Sequence, residues 1–354
     1  MDSKKKSFAT NLSRRHFLRT TALGTAAVLS GCSSVQLNGP LVQINHLPEK
    51  YSRRYGSFTA NVCGILSKHA KNVKYKLNNG EWKPVRQKAP RVSPPNFTLE
   101  MKAEDLIAGK NHLEISASAA GHDGEVTRRE FDYDPGSIRL PVTRDWSQGD
   151  LDVQDGYWEV VERNGMHRVR LKKGYEDYDR IVVVAGAFPQ GRRVETDLIF
   201  RKNAGNPFGF GILPLWGGRP DDEGVTPSRG WDFSCAWFYS YYNAVGMEFS
   251  YKNGAAKEAF VSTYKSYPIK PDARYFIVVE SWPEFDESGK RKLWRQRMKW
   301  RKESENEKSE WIELTDIEGA PLPSEEYAVA LVCHRSSVEF GPVKVTAIDG
   351  PDDA

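Results

Sequence analysis

Cysteine is scarce in this chain of 354 residues: Cys32, Cys63, Cys235 and Cys333 are all there is. Four thiols spread this thinly are not the framework of a disulfide-stapled scaffold. Cys235 and Cys333 fall in the same C-terminal segment and could pair, or remain free as buried thiols. Neither Cys-x-x-Cys nor His-x-x-x-His occurs, so a structural zinc site is not expected. No apolar run reaches the ~18–20 residues a bilayer-spanning helix needs. A basic tract is missing from the body of the chain as well. Lys and Arg total 51 against 47 Asp and Glu, a formal +4, yet residues 1–31 alone carry Lys4, Lys5, Lys6, Arg14, Arg15 and Arg19 against Asp2. The remainder is therefore close to neutral, which argues against nucleic acid as a partner, because phosphate binding needs clustered cations.

Apolar residues at 39% are enough to bury a sizeable core, and the length suits two domains with something to spare. Aromatic residues are abundant: ten Trp, fifteen Tyr and sixteen Phe. The most legible part is the N-terminus. Ser13-Arg14-Arg15-His16-Phe17-Leu18-Arg19 precedes a weakly apolar stretch of small residues, Thr20 to Ser30, which closes on Leu29-Ser30-Gly31-Cys32. The first string resembles the twin-arginine export signal and the second resembles the lipobox of bacterial lipoproteins. That resemblance implies a signal peptide over 1–31, read through Arg14 and Arg15, and lipid attachment at Cys32. The expected location is the bacterial cell envelope, with a membrane as partner through the Cys32 lipid. Residues 32–40 read as a short polar tether.

Between residues 41 and 135 the pattern is short strands with turn signals. Val73, Tyr75 and Leu77 alternate with lysines, Asn78-Asn79-Gly80 makes the turn, and Glu81 to Val85 returns. That is the hairpin signature. Leu113, Ile115 and Ala117 alternate in a later strand, and Leu106 through Gly121 resembles the last hairpin of bacterial immunoglobulin-like domains. The resemblance implies a small Ig-like β-sandwich. Its histidines, His46, His69, His112 and His122, are scattered and read as surface residues.

Residues 140–348 hold nine of the ten Trp and no convincing long amphipathic helix. Val194, Leu198 and Phe200 share one phase of a period-two run, with Glu195 and Asp197 opposite. Trp231, Phe233, Cys235, Trp237 and Tyr239 share another, expected to face the core, with Asp232 and Ser234 outward. Met247, Phe249 and Tyr251 read as inward and Glu248 as outward. Trp294, Met298 and Trp300 alternate with Arg295, Arg297 and Lys299, although a basic amphipathic helix fits that stretch too. A long series of such strands implies a two-sheet sandwich. Trp158-Glu159-Val160 at its start, with Tyr327 to Val332 and Val338 to Val345 at its end, resembles the concanavalin A-like (laminin G/glucanase) jelly roll. The expected architecture is therefore all-β: a small Ig-like sandwich followed by a larger concanavalin A-like jelly roll, with residues 349–354 as a tail.

The jelly-roll resemblance implies a polysaccharide or glycan partner bound on the outer face of one curved sheet. Glu195, Asp197, Asp232 and Glu248 are the candidate catalytic carboxylates there. Same-face residues two apart on a strand lie ~6.5–7 Å apart, near the separation of the carboxyl pair that cleaves glycosidic bonds. Laminarinase-like members of the fold carry Glu-x-Asp-x-x-Glu, and Glu195-x-Asp197 keeps the first two acids while Phe200 replaces the third. A lyase-type site would draw on Arg193, Tyr242 and His334. Candidate glycan-binding residues are Trp216, Arg219, Tyr242, Arg295 and Arg297. Trp216 opens a Gly/Pro-rich loop, where it serves either as a stacking platform or as a buried plug. Calcium accompanies many members of this fold, and Asp221 and Asp222 are its candidate ligands. The run Asp150 to Gly156 reads as a turn before the first strand rather than a calcium loop.

Overall fold

The computed structural model describes residues 39–52, 60–85, 96–120, 122–136, 138–218, 231–253, 257–305, 310–316 and 326–351. All of them belong to one compact unit that begins at Leu37. Arg14, Arg15 and Cys32 lie outside the described residues, as do Arg219, Asp221 and Asp222. The described residues are all-β, with one short 3-10 turn among them at Ala103–Asp105. Among the described residues no helix is long and apolar enough to cross a membrane.

The N-terminal lobe packs a three-stranded sheet (Val42–His46, Ala60–Leu66 and Asn96–Met101) on a five-stranded one. The larger sheet holds the expected hairpin, with Lys74 opposite Pro84 and Tyr75 opposite Lys83. Asn78 takes the left-handed conformation (φ 52°) that the turn requires. Leu113, Ile115 and Ala117 are buried and meet Val62, Leu99 and Met101 from the facing sheet.

The C-terminal lobe is a larger sandwich. Its seven-stranded sheet runs, in spatial order, Asp152–Val153, Arg180–Phe188, Tyr327–His334, Gly209–Gly218, Asp232–Tyr239, Ala244–Asn253 and Lys257–Ser266. The facing sheet runs Trp158–Arg163, Met166–Leu171, Ser336–Ile348, Gly191–Asn203, Arg274–Phe285, Arg291–Lys302 and Ile312–Thr315, with Val142–Arg144 also paired to Ser336–Ile348. Residues 291–302 form a strand. Trp294, Met298 and Trp300 enter the core between the sheets with Val194, Leu198 and Phe200, so the period-two reading of both segments holds. Cys235 and Cys333 are buried and unpaired, and burial pushes both thiols up.

Hydrogen bonds across the junction fasten the lobes together. The Trp158 backbone N–H donates to His46 Nε2 at 3.1 Å, Asn61 Nδ2 donates to the Gln154 carbonyl at 3.3 Å, and Cys63 Sγ donates to the Val153 carbonyl at 3.5 Å. His46 is thus not a surface residue: it is 8% exposed, with its ring edge-on to Tyr157 at 5.1 Å. Accepting at Nε2 requires the neutral imidazole, and burial accordingly pulls its pKa down to about 4.

Candidate functional site

The strand Asp232–Tyr239 builds two faces from aromatic residues. Ala236 and Phe238 point between the sheets, whereas Cys235, Trp237 and Tyr239 lie on the opposite side. This inverts the facing read from the sequence for residues 235–239, for Ser234, which is buried and donates to Gln296 of the facing sheet, and for Trp231, which packs with the outer layer. In a run where nearly every residue is apolar, period-two alternation carries no sign. Phe233 does join the core, stacked on Tyr327 at 4.9 Å.

Neighbouring strands accommodate this outward aromatic layer with glycine. A Cβ at Gly209 would lie 2.8 Å from the Trp237 ring, and one at Gly246 would lie 2.5 Å from the Tyr264 ring. Both rings can therefore lie flat against the sheet. Trp237 stacks on Tyr239 with centroids 4.6 Å apart and planes 8° apart, and Tyr239 continues to Tyr241 at 6.3 Å. Tyr242 packs on Tyr264 at 4.5 Å and on Tyr241 at 5.1 Å. The series ends in solvent, with Tyr241 73% and Tyr242 49% exposed.

At the buried end of this layer sit the titratable groups. Trp237 Nε1–H faces both Glu248 Oε1 at 3.3 Å and the Tyr264 hydroxyl at 3.1 Å. Burial pushes the Glu248 carboxyl up to about 7; the indole bond pulls the other way, and the charge of Asp179 adds to the rise. Asp179 hydrogen-bonds His334 Nδ1 at 2.8 Å. That bond fixes the imidazole, leaving Nε2 buried and without a hydrogen-bond partner. The Tyr178 ring stands edge-on to His334 at 4.4 Å, and the rings of Trp237 and Tyr239 approach it at 6.4 and 6.3 Å. A carboxyl that titrates near neutrality, an Asp–His pair and a stack of aromatic rings thus share one face.

The carboxylates proposed from the sequence do not share one groove. Glu248 and Asp232 belong to the seven-stranded sheet; Glu195 and Asp197 belong to the facing one. Asp197 is 7% exposed and ion-paired to Arg168 and, at 2.8 Å, to Arg274. Burial pushes its carboxyl up, but the two arginines outweigh that and hold it below the usual carboxylate range. Glu195 pairs with Arg193, which also binds Glu280, and Arg297 closes on Glu280 from the other side at 2.6 Å. Arg295 pairs with Glu284. The acids and arginines of that sheet therefore spend their hydrogen bonds on one another. The candidate lyase residues divide the same way: Tyr242 and His334 join the aromatic face and Arg193 does not. Trp216 is not in a loop. It sits within the strand Gly209–Gly218 and is 2% exposed, packed with Leu213, Cys235 and Trp237.

Asp179, Tyr178, Tyr239 and Tyr264 are the members of the face that sequence reasoning missed. One signal was available in Cys235 to Tyr239. Trp and Tyr, which carry polar tips, occupy one phase, while Ala and Phe, which carry none, occupy the other. For calcium, no cluster of three or more His, Cys, Asp or Glu able to hold a metal occurs among the described residues. Residues 152–153 are a strand paired with Val182 and Val183 rather than a turn; Asp152 accepts from Gln154 and Asp155 pairs with Arg180, so these two acids are committed to protein partners.

No protein-family model matches the chain, and no curated protein matches it. Solved structures do. A carbohydrate-binding module (CBM66) from Bacillus subtilis aligns at 15% identity over 56% of this chain and 95% of its own, with a TM-score of 0.32. A marine PL-14 alginate lyase from Aplysia kurodai aligns at 9% identity over 54% and 87%, TM-score 0.38. A legume lectin-like domain from Entamoeba histolytica aligns at 9% identity over 60% and 100%, TM-score 0.36. Similarity at this level decides neither mechanism nor ligand, so the site has to be argued from its own geometry.

Proposed function

We propose that the C-terminal sandwich binds a carbohydrate chain on the aromatic face of its seven-stranded sheet. The observation that carries this is the ring series from exposed Tyr241 and Tyr242 through Tyr239 to Trp237, which ends on Glu248 and the Asp179–His334 pair. Flat rings present C–H-rich sugar faces with an apolar partner of low conformational entropy, and the buried polar groups offer hydrogen bonds to hydroxyls. Retardation in native gels cast with a panel of soluble polysaccharides tests it. At least one polymer should retard the wild type and not the Tyr241→Ala/Tyr242→Ala variant; equal retardation of both would remove the site.

A second reading is supported by one observation, the Glu248 carboxyl at about 7. A group titrating near ambient pH is suited to give a proton to a leaving oxygen and take it back. The face would then cleave the chain that it binds, as a hydrolase or a lyase. New reducing ends, or the absorbance of an unsaturated sugar, report the activity, and Glu248→Gln should abolish it without abolishing retardation.

We further propose export by the twin-arginine route and anchoring through Cys32, on the strength of the Arg14-Arg15 and Leu29-Ser30-Gly31-Cys32 motifs. Lipid chains buried at ~0.8 kcal/mol per methylene would hold the protein at the membrane of the cell envelope.

A further inference from the structure

A cavity of about 500 Å3 opens on the other side of the same sandwich end, lined by Arg163, Arg170, Lys173, Arg201, Ser337 and Glu339 among others. Tyr178 and Asp179 of the aromatic face follow closely on Glu176, which lines this cavity, and Ser337 is three residues from His334. At ~3.5 Å per residue, the backbones that bear the two sites are within roughly 10 Å of each other.

The floor of the cavity is a carboxylate already fully served. Glu339 is completely buried and receives Arg163 at 3.2 Å, Arg170 at 3.3 Å and Arg201 at 2.6 Å. One carboxylate cannot neutralise three guanidinium groups, so what matters is which donors stay unspent. Arg170 is used up, with its Nε and Nη2 on Glu159 and its Nη1 on Glu339. Arg201 spends both terminal nitrogens, on Asp272 and Glu339, but its Nε is buried without a partner. Arg163 makes a single ion pair among the described residues and is 51% exposed. Lys173 has no acidic partner among the described residues. Lys202 faces Glu176 across 3.7 Å, beyond hydrogen-bond distance. The lining thus combines a surplus of positive charge with idle N–H donors around one concavity, and it offers a hydroxyl at Ser337.

The geometry points to an oxyanion site: a cavity that takes a sulfate, phosphate or carboxylate group on Arg163 and Lys173, with Glu339 fixing the arginines in place. The site stands apart from the carbohydrate face and does not depend on it. The same chemistry arises from a free inorganic anion or from an acidic substituent on a glycan, and the experiment separates the two.

The full chain is titrated with sodium sulfate and with inorganic phosphate by calorimetry, at ionic strength held constant with chloride. Saturable binding is expected in the wild type, weakened at least tenfold in Arg163→Ala/Lys173→Ala. Lys173→Glu, which breaks no ion pair, should weaken it as well, and its chloride melting temperature controls for folding. A sulfated oligosaccharide and its neutral counterpart form the second arm. Tighter binding of the sulfated sugar that depends on Lys173 assigns a glycan-borne group, and binding of the inorganic anions alone assigns a free ligand. Tyr241→Ala/Tyr242→Ala should leave anion binding unchanged, so loss of the carbohydrate face cannot be mistaken for loss of this one. No saturable binding in any arm, or equal binding by the wild type and Lys173→Glu, overturns the proposal.

Discussion

His46 fastens the two lobes only while it is neutral, and this sets a pH dependence that can be worked out in advance. Its Nε2 accepts the Trp158 N–H, and burial lowers its pKa from 6.5 to about 4. The unfolded chain therefore takes up a proton on this residue at a higher pH than the folded protein does. The stabilisation is fully present above 6.5 and is lost as pH falls toward 4. With those two values, folding should lose about 2 kcal/mol from this group between pH 8 and pH 5. Glu248 acts in the opposite direction. Its carboxyl, raised to about 7, favours the folded state at low pH, and that contribution is lost as pH rises from its ordinary value through 7. The two slopes nearly cancel in the wild type, so differences from variants carry the information. Urea unfolding of the wild type and His46→Gln at several pH values between 5 and 8 is the assay. The stability of the wild type relative to His46→Gln should fall by about 2 kcal/mol from pH 8 to pH 5. A difference that stays constant over that range would refute the buried neutral imidazole.

Relative to Glu248→Gln, the wild type should instead gain about 2.5 kcal/mol over the same interval, read from the same unfolding curves. Arg168→Ala strands the buried Asp197 with Arg274 alone and should cost about 3–5 kcal/mol, whereas the paired change Arg168→Met/Asp197→Leu should recover most of it. Trp294→Ala empties a fully buried site in the intersheet core and should lower stability by about 3–5 kcal/mol. In cells, Cys32→Ser should stop labelling by a palmitate analogue and release the protein from membranes, while Arg14→Lys/Arg15→Lys should hold precursor in the cytoplasm.

The strands were legible because their chemistry is local. The Asn78–Gly80 turn and the alternation in 194–200 and 294–300 each depend on neighbours a few residues away. The site was not, because its partnerships are distant. Asp179 and His334 are 155 positions apart, and Arg168 and Asp197 are 29 apart. Nothing near Glu195 or Asp197 announces that arginines from adjoining strands consume them. His46 misled for the same reason: the groups that bury it, Tyr157 and Trp158, belong to the other lobe. Trp237 and Tyr239 read as core residues because a strand buried on both faces loses the polar phase that tells inside from outside.

On the function proposed above, ligand binds the seven-stranded sheet and not its opposite. Once a retarding polysaccharide is in hand, calorimetric affinities for Tyr241→Ala/Tyr242→Ala and for Trp282→Ala/Trp311→Ala decide it, since the two tryptophans flank Arg297 on the facing sheet. Removing two stacking rings at ~0.5–1.5 kcal/mol each should weaken binding roughly ten- to a hundredfold in the tyrosine variant and leave the tryptophan variant near wild type. The reverse ranking would place the ligand on the other sheet and rule out the aromatic face.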